Sequence, residues 1–120
     1  MAQTTSGRAL RSADVTLHAS GPETATGSSA GVELGDAATV RLLLDVTAAS
    51  GTTPTLDITI ETSFDNGVTD AWRSLGTFAQ KTAVSSERKS FGGCDRWIRS
   101  RRVITGTTPS LTYSITGEGV

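Results

Sequence analysis

From Ala37 to Ala49 apolar and polar residues alternate, with Val40, Leu42, Leu44 and Val46 on one side and Arg41, Leu43, Asp45 and Thr47 on the other. A period of two sends successive side chains to opposite faces of a strand, so the segment reads as a half-buried β-strand. The same period recurs in Leu56, Ile58 and Ile60, opposed by Asp57, Thr59 and Glu61, and again in Leu111, Tyr113 and Ile115. Ala13, Val15, Leu17 and Ala19 alternate with Asp14, Thr16 and His18 in what reads as the first strand. A short strand at Val32–Leu34 ends in a Gly35-Asp36 turn. Trp72–Leu75 and Thr77–Lys81 read as short strands broken at Gly76, and Val84–Lys89 as a charged loop or edge.

The phrase Gly-Thr-Thr-Pro occurs twice, at Gly51–Pro54 and Gly106–Pro109, each time between two alternating runs. Glycine relieves tight backbone geometry, and proline pushes the residue before it, Thr53 or Thr108, towards extended geometry and can only open a strand or sit at an edge. Each copy therefore predicts the tight turn of a β-hairpin. Asp65-Asn66-Gly67 is a further turn signal, since Asn and Gly tolerate positive φ. Ser20–Gly31 is a run of small turn formers and reads as a loop. With about eight short strands and no helical periodicity, the expected fold is an antiparallel β-sandwich or jelly-roll-like domain, with a β-barrel as the competitor. Residues 1–12 form a polar N-terminal arm and 13–120 one domain, a length that buries roughly two-thirds of its unfolded surface in a single core.

The segment Asp95–Ile104 is unusual in carrying four arginines in a strand. Ile98, Ser100, Arg102 and Ile104 would make one face, and Trp97, Arg99, Arg101 and Val103 the other. Burying unpaired Arg is costly, so the face with one Arg is expected inward. Trp97, Arg99 and Arg101 are then an outward patch, and with Arg8 and Arg11 of the arm they are the candidate partner contacts. Of eleven cations nine are Arg, the cation enriched at protein interfaces. A formal net charge of −1 speaks against direct capture of nucleic acid or of an anionic membrane. No apolar run approaches the ~20 residues of a membrane span, and the N-terminus has no signal-peptide core, so synthesis and folding in the cytoplasm are expected.

Catalytic chemistry has few residues to draw on. His18 is the sole histidine and Cys94 the sole cysteine, so a triad or an activated thiol would need both from separate segments. The outward position of His18 predicts a solvated surface residue, and Cys94 a small buried or half-buried thiol. Asp57, Glu61, Asp65 and Asp70 could supply paired carboxylates, but Asp57 and Glu61 occupy the regular outward positions of a strand. A calcium site at Asp65, Asn66 and Asp70 lacks the twelve-residue loop with its distal Glu. No cofactor or metal is expected, and no enzyme activity.

Ser63, Asp65, Gly67, Thr69 and Trp72 resemble the Asp-box turn, with Asp70 and Ala71 inserted before the Trp. In families that carry it, this motif is a hairpin corner and not a catalytic site. The phrases LLLDVTAASGTTPTLDITIETSFDNG, FAQ, ERKSF, DRWIRSRR and GTTPSLTYSITGE resemble small all-β structural proteins of tailed phages, notably those infecting actinobacteria, over Asp14–Val120. The resemblance implies a virion protein, most of all a capsid decoration or cement protein on the major capsid lattice, made in the host cytoplasm and acting as a homo-oligomer or lattice part. A head-tail connector or tail component is the close alternative. From another class, a carbohydrate-binding β-sandwich would use the flat faces of Trp72 and Trp97.

Overall fold

The computed structural model describes residues 14–120; the predicted arm at 1–12, with Arg8 and Arg11, lies outside the described residues. The described chain is all-β: β1 Asp14–Glu23, β2 Gly27–Ser28, β3 Val32–Glu33, β4 Thr39–Ser63, β5 Arg73–Thr77, β6 Ser85–Gly92 and β7 Trp97–Gly119. Every pairing is antiparallel, and all seven strands belong to one hydrogen-bonded sheet.

The described residues hold seven strands, in keeping with the about eight expected, but the two GTTP segments are not hairpin turns. The chain continues through both as irregular stretches within one strand, giving β4 its 25 residues and β7 its 23. These two strands pair with each other along their whole length, from Val40↔Gly119 to Ser63↔Trp97. The glycines do take the backbone conformation a turn signal implies, with φ of 104° at Gly51 and 124° at Gly106, but Thr53 and Thr108, expected to be extended as residues before proline, instead have φ of 48° and 46°. What the sequence concealed is that the two irregular segments lie opposite each other, Thr52 pairing with Thr107, and accommodate each other as bulges within a ladder. A Cβ on Gly51 would stand 2.6 Å from the Thr108 carbonyl oxygen, and one on Gly106 2.8 Å from that of Thr53. The pairs Ser50↔Ser110 and Thr55↔Thr105 flank the crossing symmetrically. The repeated phrase thus builds a local two-fold arrangement in which each copy supplies the glycine that the other needs.

At about 3.3 Å per residue a straight β4 would run to roughly 80 Å, whereas the longest extent of the molecule is 51 Å. The long strands must therefore bend back. Side-chain contacts show the result: Val40 pairs with Phe91 near one end of β4 and Ile60 with Gly76 near the other, yet the Phe91 ring lies against Gly76 and edge-on to Phe78 at 5.3 Å. On one arm of the bend the strand order is β1, β7, β4, β6; on the other, β2 and β3 flank β7, and β5 flanks β4. Val40, Leu42, Leu44 and Val46 join Leu56, Ile58, Ile60, Leu111, Tyr113 and Ile115 in one buried cluster. The three apolar faces seen in the sequence do share one interior.

Among the described residues two ionic links join the two arms of the bend. Lys81, bridged to Leu56, donates to Glu87 on β6 at 2.6 Å. On the opposite side Arg102 of β7 reaches Glu23 of β1 at 3.1 Å and donates to the Ala25 carbonyl at 2.8 Å. Ile98, Ser100 and Ile104 are buried and Arg102 is largely so, as the cost of burying unpaired Arg predicts.

Candidate functional site

The inward position of Arg102 is made tolerable by its neighbours. Glu23 accepts from it, and the same carboxylate lies 2.7 Å from His18 Nε2. His18 Nδ1 faces the Tyr113 carbonyl at 2.9 Å, and the imidazole stacks on the Tyr113 ring at 4.0 Å. His18 is therefore not a solvated surface residue: its side chain is only 10 % exposed. The reason is the register shift in β1 between Thr16 and His18, which carries the imidazole out of the outward phase that plain alternation predicts. Burial pushes the Tyr113 phenol up to about 12. Among the described residues its hydroxyl finds no hydrogen-bond partner of good geometry, although the Arg102 guanidinium lies near it.

Cys94 belongs to another part of the molecule. Its backbone N–H donates to the Ala38 carbonyl, its thiol lies 3.4 Å from the Phe91 carbonyl, and burial raises its pKa. A thiol so placed is less nucleophilic at neutral pH than a free one. The four carboxylates weighed as acid–base pairs are also engaged. Asp57 accepts from Gln80, and Glu61 accepts from Arg99 at 2.7 Å. Four residues apart along one strand, their stems are separated by ~13 Å, beyond the spacing of paired glycosidase carboxylates.

Asp65 closes the loop between β4 and β5. It accepts from the backbone N–H groups of Val68, Thr69 and Asp70 and from the Thr69 hydroxyl. The Thr69 hydroxyl foremost, then the N–H groups of Asp70 and Thr69 and the Ser63 hydroxyl, hold its carboxyl down at about 2. Ser63 Oγ donates to the Asp70 carbonyl at 2.7 Å and accepts from the Gly67 N–H at 2.9 Å, while Asp70 accepts from the Phe64 N–H. The residues of the Asp-box phrase thus make a self-closed corner, and of the oxygens considered for calcium those of Asp65 and Asp70 are turned to the chain's own donors. Trp72 packs over Gly67 and Gly31, where a Cβ would collide with its ring or, at Gly31, first with Asn66.

The predicted patch is distributed differently from the expectation. Glu33 and Ser63 flank Trp97, which is half-buried. Arg99 is half-buried, bonded to Glu61, and lies with Cζ 4.6 Å from the centre of the Trp72 ring. The indole under a guanidinium is therefore Trp72 and not Trp97. Only Arg101 of the three is exposed, 3.5 Å from Ser28 Oγ.

The surface formed by the described residues includes two concave regions. A groove of about 670 Å³ crosses the outside of the β1–β7–β4–β6 arm, with Leu43 on its floor and Arg88, Thr16 and Thr116 around it. A second depression, of about 370 Å³, lies among the loops Gly35–Ala38, Phe64 and Cys94–Arg96. Phe64, which lines this depression, and Val68, four residues on in the same loop, were not singled out by periodicity and stand exposed by 67 % and 78 %. Their signal in the sequence was an apolar residue on each side of a turn phrase that needs none. Among the described residues no group of three His, Cys, Asp or Glu side chains is arranged to hold a metal ion. No protein-family model matches the chain, and no curated protein matches its sequence.

Proposed function

We propose that this chain is a non-enzymatic structural protein of a tailed-phage virion, a decoration or cement protein bound to the major capsid lattice. The observation that carries the reading is where its resemblance falls. The two longest resembling phrases are β4 and β7, the paired strands that build the core and the crossing, so the likeness follows the framework of the fold and not an isolated turn. A framework of this kind leaves β1 and β6 as flanking strands, short β5 at another edge, and loops gathered at one end, all of them surface for neighbours. A head-tail connector or tail component uses the same framework and differs in copy number.

The carbohydrate reading loses one of its two platforms, since Trp72 is covered on one face by Arg99 and packed on Gly67. The test is the composition of purified particles. A decoration protein is present at a copy number comparable with that of the capsid subunit, and a connector at a handful. Absence from washed particles would overturn the proposal.

A further inference from the structure

Five large apolar side chains remain exposed among the described residues, and three of them, Phe64, Val68 and Val120, lie at the loop end of the molecule. Val120 is held there by its N–H on the Thr39 carbonyl, next to the loop that ends at Ala38. Phe64 and Val68 contribute nothing to the core, and large exposed apolar groups clustered together mark contact surfaces. Their loop is also held still. Asp65 ties three backbone N–H groups and a hydroxyl, and Ser63 and Asp70 fasten the two ends. A rigid apolar tip loses little entropy on binding, which is the condition under which a few side chains carry most of an affinity.

Charge narrows the partner. The loops at this end, with the strand ends that pair with them, carry Glu33, Asp36, Asp65, Asp70 and Asp95 against Arg73, which is bonded to Asp95, and Arg96, which is bonded to Glu33, a sum of −5 and +2, or −3. The whole chain is −1, so the remainder sums to +2. An acidic end repels nucleic acid and anionic lipid. Two copies meeting through the same end would bring like charges together.

We propose that this loop end docks on a protein surface offering an apolar socket for Phe64 and Val68, rimmed by Lys or Arg, on the assembled shell. The proposal rests on the virion reading and names the face that reading requires. The depression beside Phe64, floored near Cys94, would receive a side chain from the partner in return.

The experiment adds purified protein to particles that lack it and measures binding by co-sedimentation at several salt concentrations. The wild type is compared with Phe64→Ser combined with Val68→Ser, with Asp36→Arg, and with Val84→Ser, an exposed valine in the segment just before β6. Circular dichroism and melting temperature check that each variant is folded. The double variant is expected to bind about tenfold more weakly or worse, Asp36→Arg several-fold more weakly, and Val84→Ser like the wild type, with wild-type binding falling as salt rises. Folded double variant that binds like wild type overturns the docking face and leaves the virion reading standing. Failure of the wild type itself to bind overturns the virion reading and the face with it. Loss of self-association in the double variant, with shell binding intact, would assign the face to a second copy and so refute the proposal.

Discussion

At the scale of single residues the chemistry is that of groups committed to the chain's own structure. Asp65 is the clearest case, because four donors lower its carboxyl to about 2 from an ordinary 3.8. A depressed carboxylate contributes stability that is present above the unfolded value and is lost as pH falls through the folded one. Amide protection at Val68, Thr69 and Asp70 should therefore hold down to about pH 4 and collapse towards pH 2, as hydrogen exchange would show. An unchanged protection pattern across that range would contradict the assigned bonds. Tyr113 titrates in the opposite sense. Burial raises its phenol from 10.0 to about 12, so its contribution is whole below pH 10 and is lost between pH 10 and 12, where an alkaline fall in melting temperature is expected and should be reduced in Tyr113→Phe. Cys94, raised by burial, should react with thiol reagents more slowly than a model thiol at pH 8 and at the ordinary rate once the chain is unfolded.

At the scale of elements the crossing of β4 and β7 is the unusual device. Thr53 and Thr108 are β-branched residues held at φ near +47°, where the left-handed region costs an L-residue roughly 1–2 kcal/mol. Their hydroxyls donate to the preceding carbonyls of Thr52 and Thr107 at 2.8 Å, which offsets part of that cost. Asn is the non-glycine residue most at ease there, so Thr53→Asn and Thr108→Asn should each raise stability by up to about 1 kcal/mol. Gly51→Ala should do the reverse by more than that, because its Cβ would meet the Thr108 carbonyl at 2.6 Å in a conformation already unfavourable for Ala. Chemical denaturation of the three variants decides the matter. The flanking strands carry features that blunt edges: β1 has two register shifts and Pro22, and β6 carries Arg88 and Lys89. Contacts through loops, as proposed for Phe64 and Val68, are consistent with such guarded edges.

At the scale of the molecule one core serves both arms of the bent sheet, so damage to either arm is felt by the whole. Ile58 is 1 % exposed and packs in that shared cluster. Its truncation to Ala should cost about 2–5 kcal/mol, a large share of the ~5–15 kcal/mol that a small domain possesses, and unfolding should remain a single transition by fluorescence and circular dichroism. Two separate transitions would mean that the arms fold independently and that the links Lys81–Glu87 and Arg102–Glu23 are decoration on an already divided molecule.

Local pattern by itself determined which residues are buried and which class of fold buries them. Period-two alternation placed Val40 to Val46, Leu56 to Ile60 and Leu111 to Ile115 inside, and the single-Arg face of Asp95–Ile104 inward, because strand geometry and the cost of desolvating a cation act within a few residues. It also marked Gly51 and Gly106 as irregular, while the extended geometry it gave Thr53 and Thr108 was overridden. Whether an irregular segment reverses the chain or is absorbed into a ladder depends on what lies across from it, and that partner is some 55 positions away. Only the tertiary structure decided that the two GTTP segments face each other, that a bulge turns His18 onto Tyr113 and Glu23, and that Arg99 covers Trp72 rather than standing beside an exposed Trp97. Each of those outcomes is a pairing between distant segments, and register between distant strands is not written in the period of either one.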